Sequence, residues 1–305
     1  MALSGVDEER VAAVRERLSS MIGMGEVGAQ VDRMVANARA ERRRAEAGLP
    51  PLTKTMHLVF AGPPGTGKTT VATDVAQLYT ALGLIPGTDG RVENDVLVVS
   101  AKDLIGTVMG KTQAQTKAAF DKARGGVLFI DEAYALHGGD QDMYGQQAID
   151  VLNAEMDLHR DDTVVIMAGY SKDMERLMGT NAGLKSRMPT TINFRAYDQG
   201  EQRQIMSKFM RDSGFKGAPG TKALLERAVD RVGGGNAREV RNLFDRITTE
   251  QAVRLMHEEE AGKRHSPLEQ ARLTPHDVGQ GLAAHLAAQP DADPPVPRKK
   301  AKAKV

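Results

Sequence analysis

The sequence predicts an α/β fold: a parallel five-stranded sheet flanked by helices, followed by a small all-helical domain. Three observations lead to this prediction. Between residues 56 and 195, short β-branched runs alternate with stretches of helical spacing, as in parallel sheets covered on both faces. These runs are continuously apolar, which is typical of strands buried on both sides. From about residue 199 onwards, only helical patterns remain.

Two amphipathic helices are predicted ahead of the sheet. Residues 6–18 carry apolar residues at helical spacing, and residues 26–47 form a second helix that ends at Gly48. The second half of that helix is dense in Arg and Glu. We interpret it as a solvated helix face rather than as a nucleic-acid patch.

The remaining elements follow in order along the chain. The predicted strands are Leu58–Ala61, Val96–Ser100, Val127–Ile130, Val164–Ala168 and Thr191–Phe194. Helices are predicted between them at 68–82, 112–124 and 145–158, and after them at 199–213, 221–232, 237–257 and 275–288. The predicted organisation is therefore an N-terminal helix (1–20), an α/β nucleotide-binding domain (21–197), a helical domain (198–288) and a disordered Pro-rich basic tail (289–305).

Composition excludes several classes of protein. The 305 residues include no Cys, which excludes disulfides, thiol nucleophiles and Cys-based metal sites. The net charge of +1 gives no global field for nucleic acid. The N-terminus lacks the apolar stretch of a secretory signal, and no apolar run approaches the ~20 residues needed to cross a bilayer. We therefore expect a cytoplasmic protein that does not insert into a membrane.

The strongest motif is a phosphate-binding loop between the first strand and its helix. Every fixed position of the pattern is present in Gly62-Pro63-Pro64-Gly65-Thr66-Gly67-Lys68-Thr69, and Thr70 follows it. The glycines let backbone N–H groups converge on phosphate oxygens, and the following helix adds its positive N-terminal end. Lys68 is predicted to reach the β- and γ-phosphates of ATP, and the Thr69 hydroxyl to bind Mg²⁺.

A pair of carboxylates supplies the second motif. Asp131 and Glu132 follow the apolar run Val127–Ile130, at the carboxyl end of a predicted strand where ligands of α/β sheets collect. Asp131 is predicted to hold Mg²⁺, and Glu132 to orient and deprotonate the attacking water. A Glu at this position favours hydrolysis over a simple switch or a small-molecule kinase.

Two arginines are candidates for contacts with the phosphates. Arg187 lies just before the last strand, where it could reach a neighbour's γ-phosphate or form an ordinary surface salt bridge. Arg238 follows Gly233-Gly234-Gly235 at the start of a helix and could sense the nucleotide, whereas Arg241 is interpreted as structural.

Together these residues resemble the CbxX/CfxQ branch of the AAA+ ATPases. This branch includes the red-type Rubisco activase and the ATPase domain of type VII (ESX) secretion systems. The resemblance covers about Met21 to Met256, most of the chain, and is not limited to the phosphate loop. It rests on Asp103–Gly106, Gly110–Thr112, Gly126–Tyr134 (GVLFIDEAY), Ala168–Tyr170 (AGY), Asn181–Arg187 and Gly235–Arg238.

The resemblance implies a ring oligomer, usually a hexamer, that binds ATP between subunits and remodels or threads a protein partner. It implies that Met21, Ile22 and Gly23 contact the adenine region. It further implies that Arg187 is a finger inserted into the next subunit and that Arg238 is the second sensor.

Three departures from the family pattern keep alternatives open. Val108 stands where pore loops usually carry an aromatic residue, and the first sensor could be Tyr170 or Ser171. Only about 20 residues precede the ATPase region, which argues against a complete secretion ATPase with a helical-repeat region ahead of it. The main alternative to a remodelling motor is an ATP-dependent switch or assembly scaffold. A nucleic-acid-stimulated motor has only the basic tail and Arg42–Arg44 in its favour.

Overall fold

A computed structural model describes residues 6–50, 55–106, 110–137, 143–232 and 236–288. The chain divides into two compact units, Met1–Glu201 and Gln202–Val305. The sequence predictions for Val108, for Gly233 to Gly235 and for the tail 289–305 lie outside the described residues.

The first unit contains the predicted parallel sheet of five strands, in the order β2-β3-β4-β1-β5. The strands are β1 (Leu58–Ala61), β2 (Val96–Ser100), β3 (Val127–Asp131), β4 (Val164–Gly169) and β5 (Thr190–Asn193). The alternation of strand and helix patterns in the sequence therefore identified the fold class and all five strands of this sheet. Because the strands are parallel, their carboxyl ends meet at one edge, which we call the carboxyl edge, and their amino ends meet at the other.

Helices cover both faces of this sheet. They are α1 (Glu8–Ser19), α2 (Gly25–Glu46), α3 (Lys68–Ala81), α4 (Ala101–Leu104), α5 (Lys111–Ala123), α6 (Met143–Leu158), α7 (Ser171–Thr180) and α8 (Ala182–Arg187), with short 3-10 helices at Glu93–Asp95 and Ala133–Leu136. The pattern of the sequence did not predict α4, α7 or α8. These helices span at most ten residues, which is too few turns for a clear helical period.

Alternating strand residues build two separate apolar layers. Phe60 and Phe129 point to the face covered by α1, α2 and α3, whereas Val59 and Leu128 point to the face covered by α5, α6 and α7. All four side chains are almost fully buried. The sheet is thus fixed from both sides, and the loops at its carboxyl edge start from rigid strands.

The second unit is helical with one small addition. Its helices are α9 (Gln199–Asp212), which begins at the end of the first unit, α10 (Thr221–Val232), α11 (Asn236–Glu260), α12 (Pro267–Gln270) and α13 (Pro275–Ala287). The strands β6 (Lys216–Gly217) and β7 (Arg272–Leu273) form a parallel pair that the sequence analysis missed, because two residues carry no readable alternation. As predicted, α13 starts after Thr274, whose side chain accepts from the Asp277 N–H. Within the described part of the chain, no helix is both long enough and apolar enough to span a membrane.

Candidate active site

The phosphate-binding loop connects β1 to α3 at the carboxyl edge of the sheet. The Gly62 N–H donates to the Gly169 carbonyl oxygen over 3.0 Å, which ties the start of the loop to the end of β4. A Cβ atom at Gly62 would lie only 2.2 Å from the Phe194 backbone oxygen. Only glycine therefore fits where the chain leaves the sheet.

The side chains of the loop are held by its own carbonyl groups. Lys68 Nζ donates to the carbonyl oxygens of Gly62 and Pro63 over 2.9 and 2.8 Å. Thr66 Oγ1 also donates to the Pro63 oxygen, over 2.9 Å. The ammonium therefore lies over the loop, next to the first turn of α3, whose leading N–H groups have no partners within the helix. This arrangement can bind the oxygens of a polyphosphate.

A cavity of about 320 Å³ adjoins the loop. Its lining includes Gly23, Met24, Thr66, Phe194 and Tyr197. Tyr197 Oη donates to the Thr66 oxygen over 3.3 Å, and a Cβ atom at Gly23 would lie 2.9 Å from the Tyr197 ring. Burial raises the pKa of the Tyr197 hydroxyl, so this group remains a hydrogen-bond donor. Ile22 is half-buried and directly precedes Gly23 in the turn between α1 and α2, but it is not one of the residues that line the cavity. The turn predicted to contact adenine thus borders a pocket next to the phosphate loop.

The two predicted carboxylates differ in their surroundings. Asp131 ends β3 opposite Ser100 of β2, and its Oδ1 accepts from the Glu132 N–H over 2.9 Å. Glu132 is exposed and has a left-handed backbone conformation with φ of +51° and ψ of +37°. Such a conformation is uncommon for residues other than glycine and is found preferentially at functional sites. The Glu132 side chain is thus exposed directly after the strand, whereas Asp131, the last residue of β3, is half-exposed.

An aromatic pair borders these carboxylates, and no pattern in the sequence predicted it. The rings of Tyr134 and Tyr170 lie 5.7 Å apart, centroid to centroid. Burial raises the pKa of the Tyr134 hydroxyl, and the nearby charges of Glu132 and Asp131 add to this rise. Tyr134 and Tyr170 end the stretches Gly126–Tyr134 and Ala168–Tyr170, so two of the stretches that carry the family resemblance touch each other.

Comparison with known proteins identifies the family. Residues 58–196 match the ATPase family associated with various cellular activities (AAA), and residues 199–288 match the AAA lid domain. The chain is similar to protein CbxX of Cupriavidus necator, with 34% identity over 97% of this chain and 90% of that protein. It is also similar to protein CfxQ of Xanthobacter flavus, with 36% identity over 77% of this chain and 74% of that protein.

The chain belongs to the CbxX/CfxQ family of AAA ATPases. This CbxX/CfxQ-family protein is therefore an ATP-hydrolysing enzyme. It is also similar to the ESX-3 secretion system protein EccA3 of Mycobacterium tuberculosis, with 40% identity over 90% of this chain. The chain spans about half the length of that relative, since the match covers 46% of it. Its fold resembles that of a point mutant of Thermotoga maritima RuvB, with a TM-score of 0.55 and 19% identity over 88% of this chain and 72% of that one.

The donor set of this ATPase fits a nucleotide-bound Mg²⁺ ion. Thr69 presents an exposed hydroxyl in the first turn of α3, and Asp131 presents a half-exposed carboxylate. Mg²⁺ in nucleotide sites takes one or two protein oxygens, and phosphates and water supply the remainder. Among the described residues there is no group of three or more His, Cys, Asp or Glu side chains that would make an all-protein cage. Bound there, the ion would neutralise charge on the phosphates.

The structure does not bring Arg187 together with the phosphate loop of the same chain. Arg187 ends α8, three residues before β5 starts, and therefore lies at the amino edge of the sheet. The strand β1 separates the two edges by about 13 Å, since strands rise about 3.3 Å per residue. Arg187 is also paired with Asp157 of α6, so the surface salt bridge considered as its alternative role is present, although the sequence did not indicate which residue would be the partner.

The two arginines of α11 have different surroundings in the second unit. Arg238 is exposed in the first turn of that helix. The Arg241 guanidinium lies 3.8 Å from the centre of the Phe209 ring, which agrees with its interpretation as a structural residue.

Proposed function

We propose that this ATPase assembles into a ring of identical subunits, with a hexamer as the expected form. ATP and Mg²⁺ would bind between subunits, and hydrolysis would drive remodelling of a protein partner. Lys68 and Thr70 would contact the phosphates, and Thr69 and Asp131 would hold Mg²⁺. Glu132 would deprotonate the attacking water.

The observation that carries this proposal is the separation of Arg187 from the phosphate loop. The two groups lie at opposite edges of one sheet, so Arg187 cannot complete its own site. A second copy of the chain, placed with its carboxyl edge against the amino edge of the first, would receive this arginine at its γ-phosphate. Such arginine fingers stabilise transition-state charge and contribute ~10³-fold or more to the rate. Ring assembly therefore gives Arg187 a role that an isolated chain cannot.

Substitutions within the site test the hydrolytic chemistry. We expect Glu132→Gln to bind ATP–Mg²⁺ with unchanged affinity and to lose turnover, because an amide cannot accept the proton of the attacking water. Lys68→Ala should weaken ATP binding itself, because it removes the ammonium that lies over the loop. Lys185→Ala is the matched control for the loss of a lysine. This exposed lysine belongs to α8 and not to the phosphate loop, so ATP binding should remain unchanged. Normal turnover by Glu132→Gln would remove this residue from the mechanism.

The dependence of turnover on protein concentration tests the ring. The specific activity should rise with concentration as subunits associate, and sedimentation should show the oligomer over the same range. Arg187→Ala should remain slow at every concentration while ATP binding persists. Full activity in a dilute monomer that does not need Arg187 would contradict the ring.

The nature of the partner separates remodelling from the alternatives. The EccA relatives are named as proteins of ESX secretion systems, so a secretion component is one candidate partner. The Glu132→Gln variant should retain its partner in a pull-down with ATP, because the bound state does not turn over. Unfolding of that partner that needs ATP would support remodelling. Capture without unfolding would favour an ATP-dependent switch or scaffold, and stimulation by DNA or RNA would favour a nucleic-acid motor.

A further inference from the structure

Arg187 is held on its own chain by an ion pair with Asp157. Arg187 Nε donates to Asp157 Oδ1 over 2.9 Å, and Nη2 donates to Oδ2 of the same carboxylate. On the other side of the guanidinium, Nη1 donates to the Gly183 carbonyl oxygen over 3.0 Å. The guanidinium is thus fixed at three points, all on α6 and α8.

The geometry of these bonds leaves part of the guanidinium available. A guanidinium has five N–H donors in a rigid plane, and the three bonds above use three of them. The bidentate contact with Asp157 occupies the side formed by Nε and Nη2. One N–H on Nη1 and one on Nη2 remain, both in the plane of the guanidinium. In-plane N–H donors of this kind bind phosphate oxygens.

Asp157 is attached to a rigid part of the fold. Its neighbour Met156 is buried against the sheet, and the buried side chain of His57 hydrogen-bonds to the Met156 backbone. His57 in turn accepts from the Val165 N–H of β4 over 3.0 Å. The Arg187 guanidinium holds the pKa of the Asp157 carboxyl below its usual range, so this partner stays charged at neutral pH. Asp157 therefore links Arg187 to the central sheet.

We propose that Asp157 is a positioning residue for Arg187. The Asp157 carboxylate holds one edge of the guanidinium, so that the outer edge of the guanidinium meets the γ-phosphate of a neighbouring subunit. This proposal rests on the ring assembly described under Proposed function. Exposed ion pairs contribute little to stability, and the Asp157 side chain is 60% exposed. The principal effect of Asp157 is therefore expected on the rate of the adjoining subunit rather than on folding.

A mixing experiment isolates this effect. The Arg187→Ala chain has an intact site but no finger, and the Glu132→Gln chain has a finger but an inert site. In a mixture, turnover can come only from an Arg187→Ala site that receives the arginine of a Glu132→Gln neighbour. We then add Asp157→Ala to either chain. On the Glu132→Gln chain it should lower the recovered rate roughly 10- to 100-fold, the loss expected for a misplaced reacting group. On the Arg187→Ala chain it should have no effect, because no arginine remains for it to hold.

Asp161→Ala on the Glu132→Gln chain is the matched control. Asp161 is 90% exposed in the turn after α6, and its removal should leave the recovered rate unchanged. Each variant is also checked for ATP affinity, which Asp157 should not alter because it lies at the amino edge of the sheet.

The outcomes distinguish the two proposals. If the mixture without any change at Asp157 shows no gain over the separate chains, the ring itself is wrong and this inference falls with it. If the gain appears but Asp157→Ala acts equally on both chains, or on neither, Asp157 does not position Arg187. A higher recovered rate with Asp157→Ala on the Glu132→Gln chain would also overturn the inference, because the carboxylate would then compete with the phosphate.

Discussion

The backbone at Glu132 provides a direct test of the relation between backbone strain and the stability of the fold. With φ of +51°, this residue adopts a conformation that suits glycine better than any residue with a Cβ atom. We predict that Glu132→Gly is more stable than Glu132→Ala, although both variants lose the carboxylate and therefore lose hydrolysis. The two variants remove the same functional group and differ only in the Cβ atom at that position.

The difference in the free energy of unfolding between the two variants follows from two opposing contributions. A residue with a Cβ atom in the left-handed region costs about 1–2 kcal/mol. Glycine loses more conformational entropy on folding, which costs about 0.5–1 kcal/mol relative to alanine. The net advantage of Glu132→Gly in the free energy of unfolding is therefore about 0.75 kcal/mol from the midpoints of the two ranges, within limits of about 0 and 1.5 kcal/mol. In a unit of this size, that corresponds to a rise in Tm of about 1–4 °C.

The assay compares the thermal unfolding of both variants, and ATP binding confirms that each keeps its phosphate loop. Ala118→Gly, at an exposed position within α5, is the reference, because there the same exchange should lower stability by about 1 kcal/mol. A Glu132→Gly variant that unfolds at or below the temperature of Glu132→Ala would refute the argument that strain is stored at this residue.

Two further predictions concern stability. Gly62→Ala should lower the free energy of unfolding by about 1–3 kcal/mol and weaken ATP binding, because its Cβ would lie 2.2 Å from the Phe194 backbone oxygen. Chemical denaturation tests this, with Gly28→Ala as the control: nothing lies within 4 Å of the new Cβ in that helix, so it should be neutral or stabilising. Burial lowers the pKa of His57 to about 4, below its unfolded value of 6.5. The unfolded chain therefore gains a proton first, so stability should fall by up to about 3 kcal/mol as the pH drops from 6.5 to 4. Urea midpoints measured across this range should fall less steeply in His57→Gln, and an equal slope would exclude His57 as the cause.

The sequence allowed the sheet and the phosphate loop to be predicted because both depend on neighbouring residues. A buried strand followed by a glycine-rich turn and a helix start leaves few other conformations for Gly62 to Thr69. The pairing of Arg187 with Asp157 joins residues 30 positions apart, and no local pattern marks it. For the same reason, the contact between Tyr134 and Tyr170 could not be read from either motif alone. One sequence specifies such partners only through the fold that brings them together.

The contact between Tyr134 and Tyr170 also accounts for the residues at which the stretches Gly126–Tyr134 and Ala168–Tyr170 end. A Cβ atom at Gly169 would lie 2.8 Å from the Tyr134 ring, so β4 must end in glycine for Tyr134 to pack there. Tyr134 belongs to the 3-10 helix Ala133–Leu136, and the Ala135 N–H of that helix donates to the Glu132 oxygen over 2.8 Å. The end of β4 thus fixes Tyr134, and Tyr134 fixes the short helix that follows Glu132. Because a residue in a strained conformation keeps it only when its surroundings demand it, the two motifs together are what hold the predicted general base in its left-handed turn.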